Sequence, residues 1–161
     1  MNYQLAGIMA WYERESKASQ RMLKAIPDDK LNKKIYPKFR TAGEIGMHLG
    51  DSLIDLMEAI KTGKLVIRKT SPVLSTGQAI LNYYQNISEE LISEAKNFTD
   101  AHVTRKFDFA INGKVVWIPT GLELLSAYIC HEIHHRAQIG VVLRLMDVKI
   151  PGMYGPSADE R

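Results

Sequence analysis

His131 and His135 stand four residues apart. At about 3.6 residues per turn, that spacing sends both imidazoles from one face of a helix, one above the other. Two such rings can grip a single ion from adjacent corners. Both fall on an apolar stripe with Leu124, Tyr128, Ile139, Val142 and Met146, where unpartnered imidazoles would be costly. A metal removes that cost by taking their lone pairs. Imidazole nitrogen suits zinc, nickel, copper or iron better than calcium or magnesium.

His48 lies on the inner stripe of an earlier helix, near its start. An antiparallel neighbour could bring it level with the pair, giving three neutral nitrogen ligands and at least one open position, the pattern of a reactive rather than a purely structural site. Taken alone, a core histidine is ordinarily just hydrogen-bonded. His102 falls at a junction between helix and flap and reads as a surface residue. His134 is turned about 100° from its neighbours and reads as a core or interface histidine.

Two sharper motifs compete for these residues. His131-Glu132-Ile133-His134-His135 fits the H-E-x-x-H pattern of zinc proteases, in which the glutamate is the general base. That reading wants a third ligand downstream, yet only 26 residues follow His135 and none is histidine. A di-iron bundle site needs two Glu-x-x-His motifs on separate helices; Glu132 and His135 supply one, and no other histidine has a glutamate three residues before it. Glu132 is left with two readings: an outer carboxylate that orients a ligand or shuttles a proton, or a surface or interface acid paired with Arg136 at i+4. Gln138 or Arg136 could hold the ring N–H of a ligand. Cys130 leaves the helix in another direction and reads as a small buried hydrophobe.

The elements that must position these side chains are helical. Leu5, Ile8, Met9, Tyr12, Ser16, Ser19, Leu23 and Ile26 recur at helical spacing, predicting a first helix over about 2–26. Thr41-Ala42-Gly43-Glu44 has the form of a capping box and opens a second, with Ile45, His48, Leu49, Ser52, Leu53, Leu56 and Ile60 inward and Gly63 as its stop. Ser75-Thr76-Gly77-Gln78 is a second capping-box candidate. Behind it Ile80, Tyr84, Ile87, Leu91, Ala95 and Phe98 mark a third helix, whose other side carries Glu89, Glu90, Glu94 and Lys96.

Between Val103 and Ile118 the period changes. Phe107, Phe109 and Ile111 alternate with other residues, Asn112-Gly113 follows, and Val115 and Trp117 alternate again, which predicts a small β-hairpin or flap. The last helix then runs from about Gly121 to Val148. Its next stripe round, Ala127, Cys130, His134, Ala137 and Val141, is also apolar or nearly so. Such a helix is either central to a bundle or meets another subunit with its second face. The tail from Pro151 should be irregular.

Composition bounds the class. The 161 residues, 45% apolar and 24% charged, suit one soluble domain over 1–161. The single cysteine excludes an internal disulfide framework and favours a reducing compartment. No secretory signal and no apolar run of membrane-spanning length are evident, so the expectation is a cytoplasmic protein with no membrane partner. The net charge of +3 is mild. Basic residues gather at Lys30, Lys33, Lys34, Lys38 and Arg40 and at Lys61, Lys64, Arg68 and Lys69, but only Tyr36 and Phe39 interleave as aromatics. Solvated loops, rather than a nucleic-acid surface, are expected.

The chain resembles the DinB/YfiT-like superfamily of metalloenzymes, which is distinct from the DNA polymerase sharing the DinB name. The resemblance covers nearly the whole chain. It rests on the stretch from Thr41 to Leu49 containing His48, on the flap, on His131-Glu132-Ile133-His134-His135-Arg136-Ala137-Gln138-Ile139, and on a closing segment with Tyr154-Gly155-Pro156. The family usually has glycine where Ala137 stands. The resemblance implies an all-α, up-down-down-up four-helix bundle, often a homodimer, with one divalent ion on His48, His131 and His135. Zinc or nickel is the implied ion, with iron, manganese and copper as further candidates. It also implies the chemistry of relatives that conjugate low-molecular-weight thiols such as bacillithiol or mycothiol to electrophiles. Metal-assisted hydrolysis by activated water and a non-catalytic stress-induced metal-binding role are the alternatives.

Overall fold

The structure is a computed structural model that describes residues 3–67, 72–112 and 114–160. Arg68 and Lys69 of the second basic cluster and Gly113 of the expected turn lie outside the described residues. Four long helices form the bundle: α1 (Tyr3–Lys24), α2 (Ala42–Thr62), α3 (Gly77–Glu94) and α5 (Gly121–Arg144). A short helix that the periodicity did not signal, α4 (Asp100–Thr104), and a hairpin of β1 (Phe109–Ile111) and β2 (Lys114–Trp117) sit between α3 and α5.

Helix boundaries follow local chemistry. Thr41 and Glu44 make the reciprocal capping box at the start of α2, and Gly63, at φ 79°, closes it in the left-handed conformation that glycine adopts without steric cost. Thr120 and Glu123 make the same box at the start of α5. At α3 the expected box is not formed: Thr76, not Ser75, is the cap, its hydroxyl accepts from Ala79 N–H, and the Gln78 side chain turns instead to Asn82. The helix α5 stops at Arg144, short of the expected Val148, where Asp147 takes φ 57°.

Each of α1 and α2 packs against both α3 and α5. Gly46 meets Ile80, Asp51 accepts from Tyr83 and Lys61 pairs with Glu94, so residue numbers rise together and α2 and α3 run parallel. In α1 and α5, Glu15 meets Arg136 and Met22 meets Gly140, so these two are also parallel. The result is the up-down-down-up bundle. Glycine at Gly46 and Gly50 lets α2 and α3 approach closely: a Cβ there would lie 2.8 Å from Ile80 and 2.6 Å from Tyr83.

The core unites the inward stripes of all four helices, including Leu5, Leu23, Leu49, Leu56, Ile80, Tyr84, Leu91, Leu124 and Ile139. Phe107 anchors the base of the hairpin in it, and the Phe107 amide donates to the Pro119 carbonyl. The strands are antiparallel, with Phe109 opposite Trp117 and a bulge before Ala110. No helix of the described residues is long and apolar enough to cross a membrane.

Candidate metal centre

The antiparallel crossing of α2 and α5 brings His48 level with His131 and His135. Each offers one nitrogen, and the three nitrogens lie within 4.8 Å of one another. His48 Nε2 is 3.2 Å from His131 Nε2, and His131 Nε2 is 3.1 Å from His135 Nε2. Ligand edges around a tetrahedral ion with bonds of about 2.0–2.1 Å are about 3.3 Å, so the nitrogens already sit close to the spacing a metal would impose. The donor set is neutral and of the type that first-row transition ions prefer.

Electrostatics favours the neutral rings. Burial, followed by the positive charge of Arg40, holds His48 down at about 4. Burial and the neighbouring imidazoles bring His131 to about 4 as well, and burial lowers His135. Lone pairs are therefore free for an ion at neutral pH.

Orientation is supplied by Gln138. The Nδ1 of His135 lies 2.7 Å from Gln138 Oε1, which fixes the N–H on Nδ1 and leaves the Nε2 lone pair facing His131. The same amide's nitrogen is 3.0 Å from His134 Nε2. His134 thus supports Gln138 from the surface; it is exposed, not in the core. Cys130 is also exposed, contrary to the buried hydrophobe expected. The second stripe of α5 is not central to the bundle. Cys130, His134, Ala137 and Val141 all face outward, and His134, Ala137 and Val141 wall a cavity.

Among the described residues, the hydrogen-bond partners of the Glu132 and Arg136 side chains do not include the histidines. Glu132 is 2% exposed and its Oε1 accepts from Ser19 Oγ at 2.7 Å and from Tyr84 OH at 2.5 Å. Burial raises its carboxyl above the ordinary range against the pull of these donors. The surface-acid reading therefore does not hold. The expected i+4 partner, Arg136, is engaged elsewhere: its guanidinium donates to the Glu15 carboxylate at 2.7 Å, to the Glu15 carbonyl and to Tyr154 OH. This network joins α5 to α1 and to the closing segment behind the cluster.

Two cavities reach the histidines. One, of about 590 Å³, lies between α5 and the loop before α2, lined by Lys38, Phe39, Arg40, His48, His135 and Val141 among others. The other, of about 250 Å³, opens beneath the hairpin and is lined by His48, Ser52, Asp55, Trp117, Tyr128 and His131 among others. His48 lines both, while His135 faces the first and His131 the second. Burial and the Asp55 carboxylate push the Tyr128 hydroxyl up to about 12, so it stays protonated in this second cavity. Sequence reasoning did not find Lys38 and Arg40 as site residues; the available signal was their position just before the α2 cap, about two turns ahead of His48.

The chain is thus a parallel-paired four-helix bundle whose three converging histidines, from α2 and α5, are positioned to bind a metal. The DinB family model matches residues 1–161, and the chain belongs to the DinB family. It is 27% identical over 150 residues to YrdA of Bacillus subtilis strain 168, an uncharacterized protein, covering 92% of this chain and 87% of YrdA. Among solved structures it is similar to a DinB-like protein of Bacillus cereus, with a TM-score of 0.76 and 24% identity over 95% of this chain and all of that one. It is also similar to YfiT of Bacillus subtilis, described as a probable metal-dependent hydrolase with an unusual four-helix bundle topology. There the TM-score is 0.72 and the identity 18%, over 92% of this chain and 91% of YfiT. At these identities the structural likeness speaks for the fold.

Proposed function

We propose that the protein is a metal-dependent transferase that joins a low-molecular-weight thiol to an electrophile, with one divalent ion, zinc or nickel, held by His48, His131 and His135. The observation that carries this reading is the pair of cavities meeting at one histidine cluster. A transfer reaction needs room for two organic reactants at the same centre; hydrolysis needs room for one and a water.

A divalent ion at these nitrogens supplies positive charge that favours the thiolate at neutral pH. The chain's own residues do the rest. Gln138 keeps His135 in the tautomer whose Nε2 would be free to hold an ion. Ser52, Asp55 and Tyr128 give the cavity under the hairpin a polar wall, while Phe109 and Trp117 cover it. In the reaction the thiol S–H bond breaks and its proton passes to solvent. A sulfur–carbon bond forms, and the bond from carbon to its leaving group breaks, with the electron pair departing on that group. A reducing cytoplasm, which keeps such thiols and the exposed Cys130 reduced, is the compartment this chemistry fits.

The test is a panel of thiols with an aryl halide electrophile and zinc- or nickel-loaded protein. Strictly thiol-dependent conjugation, lost in the His131→Ala variant, supports the reading; no conjugation with any thiol contradicts it. The second reading is hydrolysis, favoured by the description of YfiT; turnover of esters or amides without added thiol would establish it instead.

A further inference from the structure

We infer that the larger cavity takes an anionic reactant, a carboxylate or phosphate on an apolar stem, with Lys38 and Arg40 meeting its charge and the α5 wall its stem. The inference rests on the reading of the histidine cluster as a reaction centre with two reactant cavities, and it assigns a chemical class to one of them.

The cavity's composition carries it. Its charged lining residues are Lys38 and Arg40, and neither forms an ion pair among the described residues. Ile45, Ala137, Val141 and Val142 add apolar surface to the same lining. Among the described residues no carboxylate lines this cavity, whereas Asp55 lines the one beneath the hairpin. A cavity of about 590 Å³ with apolar walls and a few charged groups is the ordinary form of a small-molecule site.

The backbone that carries these cations is tied down. The neighbouring Lys34 donates to the Phe39 carbonyl at 2.9 Å and to Glu44 of the α2 capping box at 3.2 Å, fastening the loop to the helix that carries His48. Arg40 lines the same cavity as His48 and His135. An anion at Arg40 would therefore lie close to the reacting centre, not at a remote surface. Both side chains are solvent-exposed, so their contribution to binding is modest. For two exposed charge contacts it is about two- to thirtyfold in affinity.

Calorimetric binding to the zinc-loaded protein of hexanoate, hexyl phosphate and hexanol, which share a stem and differ in head group, tests the proposal without requiring turnover. Tighter binding of either anion than of hexanol, by about two- to thirtyfold, is expected. That preference should disappear in the Lys38→Gln/Arg40→Gln variant and survive in Lys17→Gln/Arg14→Gln, which removes the same charge from α1. The ratio of hexanoate to hexyl phosphate identifies the preferred head group. Equal binding of all three ligands overturns the proposal. So does an anion preference retained in the Lys38/Arg40 variant, which would mean that the anion sits on the metal alone. Because no thiol is used, an anion preference seen alongside absent thiol conjugation refutes the transferase reading and leaves this inference standing.

Discussion

The imidazole of His135 is held by the side chain of Gln138, one turn further along α5, through a contact of 2.7 Å between Nδ1 and Oε1. The relationship fixes which nitrogen of His135 is free, and so makes a residue outside the ligand set part of the centre. Replacing Gln138 with leucine should weaken metal affinity by about 10–100-fold while leaving the fold intact. Competition against a chromophoric chelator measures this directly. An unchanged affinity would mean that His135 is oriented by other means.

The pH dependence of metal uptake follows from the depressed imidazoles. His48 and His131 sit at about 4 in the folded chain, against an ordinary value of about 6.5. Protons should therefore compete weakly with the metal between pH 7 and 5, and affinity should fall steeply only as pH approaches 4. The sign for stability is the same. The unfolded chain takes up protons on these histidines below about 6.5 and the folded apoprotein does not, so apoprotein stability declines as pH falls through that window. Chelator competition and urea denaturation across pH 4–7 check both trends. Affinity that drops already at about pH 6.5 would contradict the burial of the cluster.

Behind the cluster, Arg136 and Glu15 form an ion pair in which both side chains are nearly inaccessible, at 2.7 Å. Arg136→Ala should cost about 3–5 kcal/mol, because it strands a buried carboxylate. The Arg136→Met/Glu15→Leu double variant should recover much of that loss. Chemical denaturation measures the three proteins. A loss below about 1 kcal/mol in the single variant would show the pair to be unimportant to stability.

Glu132 separates a structural from a catalytic role. Its Oε1 accepts from Ser19 and Tyr84, and no histidine is among its recorded hydrogen-bond partners. Glu132→Ala leaves two buried hydroxyls without their acceptor and opens a void, which should cost about 2–4 kcal/mol. Metal stoichiometry at a temperature where the variant is folded should be unchanged. A large loss of metal with little loss of stability would instead give Glu132 a direct part in the centre.

Much of this organisation was legible in the sequence because its determinants are local. Thr41 with Glu44 and Gly63 mark both ends of α2, and alternation around Asn112 marks the hairpin. The i, i+4 spacing puts His131 and His135 on one face. What was missed depends on packing between distant segments. Cys130 and His134 belong to a nearly apolar stripe that faces outward in this chain, so hydrophobic spacing alone did not place Cys130 at the surface or keep His134 out of the core. Arg136 has its natural i+4 partner in Glu132, but the neighbouring α1 offers Glu15, and Ser19 with Tyr84 claims Glu132. Lys38 and Arg40 look like any solvated basic loop until the α2 crossing sets them beside His48. The short helix α4 has too few residues to show a period.

The central claim is that His48, His131 and His135 together hold one divalent ion. Elemental analysis of the purified protein and of its His48→Ala, His131→Ala and His135→Ala variants, each checked for a native helical spectrum, tests it most directly. About one equivalent of zinc or nickel in the parent chain and a small fraction of that in each variant is the predicted result. Full metal content in any one of the three variants, or a parent chain that takes up no transition metal when supplied with it, would contradict the account.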